Sequence, residues 1–154
     1  MNVSDAKTSR NPVATLLTHA LGSCIGVMLY DGGARVAGML HFQLPAAASN
    51  PGRAKENPAM FADTGMAEVL DQMLRLGATS QQLRVKIAGG AEMLNDGKLF
   101  SIGRRNHAAI RKILWQRGLL MDAEDVGGTR PRTVRMRVAD GTVTVRSDGE
   151  ETVL

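Results

Sequence analysis

The sequence predicts an α+β (mixed α/β) fold: two main helices against a predominantly antiparallel or mixed sheet system. Three observations predict it. Apolar runs at residues 25–30 and 34–40 flank Gly32-Gly33, a pair that takes positive φ freely and signals a hairpin. Val134, Met136 and Val138, then Val143 and Val145, alternate with polar residues around Asp140-Gly141, a second hairpin. Met66, Val69, Leu70, Met73 and Leu74 recur at the i, i+3, i+4, i+7, i+8 spacing of a helix face. Strands and helices interspersed in this way bury their apolar faces best as helices layered on sheet.

In chain order, residues 1–11 are polar and expected to be a flexible N-terminus, with a single domain over residues 12–154. A strand over 13–18 leads into the Gly22-Ser23-Cys24 turn and then the first hairpin. Residues 46–57, rich in Ala, Ser, Asn, Pro and Gly, read as a long loop. The helix over 58–76 stops at Gly77, placed for a left-handed C′ residue. Leu83, Val85 and Ile87 alternate with Arg84 and Lys86 as a strand with one wet face, which runs into Ala88-Gly89-Gly90-Ala91. A second helix beginning near Arg105-Asn106 carries Ile110, Ile113 and Leu114 inward and ends at Gly118. A strand over 119–123 and the hairpin of 133–139 with 142–146 complete the chain.

Composition narrows the function classes. The chain has 154 residues, 44% hydrophobic and 22% charged, enough to bury a core. Net charge is +4, but the basic residues are dispersed and aromatics amount to only 3%, so the stacking pattern of nucleic-acid binders is absent and no nucleic-acid partner is expected. A mild basic excess suits an acidic protein partner. Lys7 and Arg10 precede an apolar stretch at 13–30, yet Thr15, Thr18, His19, Ser23 and Cys24 interrupt it, so no membrane insertion is expected. The lone Cys24 forms no internal disulfide and points to the cytoplasm.

The chemistry-bearing pair is Cys24 and His41. With Gly32-Gly33 as a two-residue turn, Asp31 faces Ala34, and counting outward puts Cys24 directly across from His41, with Cβ atoms about 4.5–5.5 Å apart. A lone cysteine is usually a small buried hydrophobe, and a strand-end histidine is usually structural. Brought together, they are what nucleophilic catalysis requires: imidazole takes the thiol proton and the imidazolium then favours the thiolate. Gly22 allows close backbone approach, and the amides around Ser23 and Cys24 offer donors to a developing oxyanion. Ser23 points away by strand alternation. His19 is a competing base that the register disfavours, and His107 reads as a surface residue. Three scattered histidines and one cysteine give no metal-ligand spacing.

The segments around this pair resemble a known family. Leu21-Gly22-Ser23-Cys24-Ile25-Gly26-Val27, Leu29-Tyr30-Asp31 and Gly38-Met39-Leu40-His41-Phe42-Gln43-Leu44-Pro45 closely resemble the signature of the chemoreceptor glutamine deamidases, the CheD family. Phe61-Ala62-Asp63, Gly89-Gly90-Ala91-Glu92-Met93, Ile102-Gly103-Arg104-Arg105-Asn106 and Asp125-Val126-Gly127-Gly128 resemble its later blocks in order, so the likeness runs from about Thr15 to Arg146. The resemblance implies a hydrolase that converts glutamines on methyl-accepting chemotaxis receptors to glutamate with release of ammonia, without a cofactor. It implies a catalytic set of Cys24, His41 and Thr18, with Thr18 orienting the imidazole; Thr15 is the alternative if the first strand is shifted. It also implies a layered sandwich of mixed and antiparallel sheets like that of toxin deamidases of the cysteine-hydrolase type; a monomer is expected.

Two departures from the family pattern, Pro131 and Gln43, bear on loop shape and docking rather than on the triad. The rival reading is a regulatory module that docks to and stimulates a CheC-type phosphatase. Arg135 and Arg137 share a strand face suited to an acidic receptor coiled coil.

Overall fold

A computed structural model describes residues 1–92 and 101–154. Among them the strands are β1 (Asp5–Ser9), β2 (Thr15–Leu21), β3 (Ile25–Asp31), β4 (Val36–Phe42), β5 (Leu83–Gly89), β6 (Leu120–Val126), β7 (Arg132–Arg137), β8 (Val143–Ser147) and β9 (Glu150–Val153). The helices are α1 (Pro51–Glu56), α2 (Ala62–Arg75) and α3 (Ile102–Gln116). Five strands form a mixed sheet in the order β1-β4-β3-β5-β6, in which only β5 and β6 run parallel. The other four form an antiparallel sheet, β2-β7-β8-β9. This is the α+β fold with two main helices that the patterning predicts.

Strand parity builds the layers. On β4 every position is buried, because alternate side chains point to two different cores. Val36, Leu40 and Phe42 join Met66, Val69, Met73 and Ile110 in the core between the mixed sheet and the helices. Ala37 and Met39 join Met28, Val134, Met136, Val143 and Val145 in the core between the two sheets. Gly38 lets α2 come close: a Cβ there would sit 2.5 Å from the Met73 sulfur. His41 has the parity of Ala37 and Met39, so it points between the sheets.

Several expectations are corrected. Residues 1–11 are not a loose tail, because β1 pairs along β4 as its edge strand and buries Ala6. The loop at 46–57 contains α1, whose N-terminus is capped by the Asn50 side chain accepting the Arg53 N–H. A 3₁₀ turn at Pro58–Met60 precedes α2, Leu74 is exposed rather than buried, and Gly77 does take a left-handed φ of 98°. The second long helix begins at Ile102, capped by Ser101, earlier than expected. Met93 lies outside the described residues.

The hairpin turn also differs. Asp31 pairs with Val36, not Ala34, so the connection is four residues long. Neither Gly32 nor Gly33 takes a positive φ; Arg35 does, at 53°. The Asp31 carboxylate organises this longer turn by accepting the Ala34 N–H at 2.9 Å and the Thr79 N–H at 2.8 Å. Burial alone would raise its pKa, but the N–H donors of Ala34, Thr79 and Gly33 outweigh burial and hold it below the usual carboxylate value.

Candidate active site

The longer turn shifts the register by two residues. His41 now faces Gly26, and Cys24 lies just before β3 on the same side of the sheet, diagonal to His41. The directly opposed pair is therefore a diagonal one, with typical Cα separations of about 7–8 Å and Cβ atoms somewhat closer. Parity survives a shift of two, so both residues still face the space between the sheets, and Cys24 packs against that core. Directly opposite His41, Gly26 admits Leu21, whose Cδ1 would lie 3.0 Å from a Cβ at that position.

Thr18 reaches the same space from the second sheet. A bulge in β2 between Thr18 and Leu21, with Ala20 at a φ of 56°, turns both residues inward although they are three apart. Thr18 Oγ1 and His41 Nδ1 are 2.8 Å apart, and both residues are fully buried. Burial holds the His41 imidazole down at about 4; the Met1 ammonium adds to the depression and Asp5 opposes it. Nε2 has no hydrogen-bond partner among the described residues. Cys24 is half-buried; burial pushes its thiol up, and its own backbone N–H offsets part of that rise. The resting pair is therefore neutral thiol and neutral imidazole.

The loop before β3 is pinned by its carbonyls. Gly22 O accepts from Ala91 N–H and Cys24 O from Gly90 N–H, both at 2.8 Å. Asn106 Nδ2 donates to Ser23 O at 3.0 Å and to Gln43 O at 2.7 Å. Gly89 must be glycine here, because its φ is 114° and a Cβ would lie 2.3 Å from Cys24 O. The Gly22 N–H is occupied by Ala20 O at 2.9 Å, so it supports the turn and is not a free donor.

The other sequence candidates fall away from this cluster. Thr15 and His19 are exposed, with His19 Nδ1 3.5 Å from Thr133 Oγ1. His107 bonds Glu124 at 2.8 Å. Asp125 holds Arg132 at 2.8 Å, a structural contact in the loop whose Gly127 N–H reaches Gly89 O. Among the described residues no three His, Cys, Asp or Glu side chains converge to hold a metal. A groove of about 670 Å³ runs over the outer face of the second sheet past Leu17, Arg135 and Val153, remote from this chemistry. A smaller one of about 290 Å³ lies after β4, lined by Leu44, Pro45, Ser49, Asn50, Ile102 and Arg105.

Sequence reasoning missed Asn106 as part of the site. The available signal was a polar residue on the buried stripe Gly103, Asn106, Ile110 and Leu114 of α3.

Comparison with known proteins gives the same family as the motifs. The family model described as CheD chemotactic sensory transduction matches residues 43–147, beginning just after His41. A relative from Solibacter usitatus (strain Ellin6076), named probable chemoreceptor glutamine deamidase CheD, is 43% identical over 151 residues, 98% of this chain and 89% of its own. Probable chemoreceptor glutamine deamidase CheD 2 of Anaeromyxobacter dehalogenans (strain 2CP-C) is 46% identical over 147 residues, 96% of this chain and 92% of its own. Probable chemoreceptor glutamine deamidase CheD 1 of Syntrophus aciditrophicus (strain SB) is 41% identical over 149 residues, 97% and 93% of the two chains.

Proposed function

The chain belongs to the CheD family, and from that premise we propose that it acts as a chemoreceptor glutamine deamidase. It hydrolyses the carboxamide of receptor glutamines to carboxylate and releases ammonia, with Cys24 as nucleophile, His41 as acid and base, and Thr18 as the group that sets the His41 tautomer. The observation that carries this reading is the buried Thr18–His41 hydrogen bond on the side of the sheet where the only thiol lies.

For His41 to act as a base, its Nδ1–H donates to Thr18 Oγ1 and leaves the Nε2 lone pair free. Nε2 takes the thiol proton as sulfur attacks the substrate carbonyl carbon, and the C=O electron pair moves onto oxygen. The Ser23 and Cys24 amides hold that oxyanion. Burial disfavours the imidazolium, which then gives its proton to the departing nitrogen. The C–N bond breaks and ammonia leaves a thioester on Cys24. Nε2 then takes a proton from water, hydroxide adds to the thioester, the C–S bond breaks, and the proton returns to sulfur.

The activity belongs in the cytoplasm, where a single thiol stays reduced. Mass spectrometry of a receptor cytoplasmic fragment tests the proposal: each deamidated glutamine gains the mass of an NH₂-to-OH exchange. The gain is expected with the wild-type chain and absent with Cys24→Ala. The same gain with Cys24→Ala would overturn the mechanism. The regulatory alternative, docking to a CheC-type phosphatase, predicts no gain with either protein.

A further inference from the structure

We infer that Asn106 is a positioning residue for the oxyanion: by holding the Ser23 carbonyl, it aims the Cys24 N–H at the oxygen of the tetrahedral intermediate. The inference rests on the proposed Cys24 chemistry and adds to it a residue with no place in the Cys24–His41–Thr18 set.

Asn106 is fully buried on the inner stripe of α3. A polar side chain there is costly unless its groups are bonded. Its Nδ2 spends both protons on backbone carbonyls, Ser23 O at 3.0 Å and Gln43 O at 2.7 Å. Ser23 immediately precedes the nucleophile, and Gln43 follows His41 by two residues. One amide group therefore ties the nucleophile's peptide to the strand end that carries the base.

Peptide geometry turns that tether into an orientation. No peptide bond in the described chain is cis, so the C=O of one residue and the N–H of the next point in opposite directions. Drawing Ser23 C=O toward Asn106 turns the Cys24 N–H away from α3. Drawing Gly22 C=O toward Ala91 N–H does the same for the Ser23 N–H. The Cys24 N–H lies beside its own sulfur. Close seating of α3 depends on Gly103, because a Cβ there would lie 2.4 Å from Gly90 O. Oδ1 of Asn106 has no partner among the described residues, so the two N–H donors are the part of the side chain in use.

The test separates oxyanion geometry from thiol reactivity. Alkylation of Cys24 by iodoacetamide attacks a saturated carbon and forms no oxyanion, whereas deamidation requires one. Asn106→Asp keeps the size and the acceptor but loses the donors; Asn106→Leu loses all polar atoms. For both, kcat on a receptor fragment, per alkylatable Cys24, is expected to fall about 10- to 100-fold. KM and the alkylation rate are expected to stay within about twofold of wild type. Unchanged kcat would overturn the inference. So would a loss of kcat accompanied by faster or slower alkylation, which assigns Asn106 a purely structural role. Failure of the underlying reading is distinguishable, because the wild-type chain would then show no Cys24-dependent deamidation.

Discussion

β2 carries a threonine–histidine pair on each of its faces, and the two could hardly be placed more differently. On the inner face Thr18 meets His41 at 2.8 Å, fully buried between the sheets. On the outer face His19, the next residue along, lies 3.5 Å from Thr133 in the open. The outer pair is at the limit of hydrogen-bond length, where water competes for both partners. The inner pair has no such competitor, so its geometry fixes one ring orientation and its surroundings keep the ring neutral. The residue types are the same on both faces. Burial and a thiol on the same side of the sheet separate a catalytic candidate from a surface pair.

Two substitutions sharpen that contrast. Thr18→Val removes the hydroxyl bonded to His41 Nδ1, and kcat for deamidation is expected to fall about 10- to 100-fold. Thr133→Val on the outer face should leave the steady-state rate unchanged. If the two variants lost equal activity, burial would not be the deciding difference.

The second contrast is stability against pH. Folded His41 stays neutral down to about 4, while the unfolded residue takes up a proton near 6.5. Its contribution is complete above about 6.5 and is lost as pH falls through that window, up to about 3 kcal/mol. Urea unfolding of wild type and His41→Gln between pH 7 and pH 4 should show this dependence vanish in the variant. His19→Gln should keep it.

The smallest effect concerns Asp5, which faces His41 across β1 and β4 and raises its pKa. Asp5→Asn should move the His41 titration, followed by ring NMR shifts, to still lower pH. A shift upward would mean that Asp5 is not acting on His41 through its charge.

Much of this architecture was legible from patterning, and the failures are physical. The alternation of β5, β7 and β8 and the helix-face spacing of α2 marked the buried faces, while β3 and β4 read as continuous apolar runs buried on both sides. β1 and β9 went unseen because they are polar edge strands held by backbone pairing rather than by apolar alternation. The Gly32-Gly33 pair suggested a tight turn, but the Asp31 carboxylate, reaching Ala34 and Thr79, stabilises a longer one. Thr79 is far away in sequence, so no local signal announced it. The resulting shift of two residues lost the direct opposition of Cys24 and His41 but kept their shared face. Thr18 was legible only through family resemblance, since the bulge that turns it inward has no clear mark in the sequence.

The most direct test compares the two histidines of this contrast on one substrate. Deamidation of a receptor cytoplasmic fragment, followed by mass over time, is measured with wild type, His41→Gln and His19→Gln. His19→Gln is expected to match wild type, and His41→Gln to be slower by at least about 100-fold. Equal rates for all three proteins would contradict the role of His41 as acid and base.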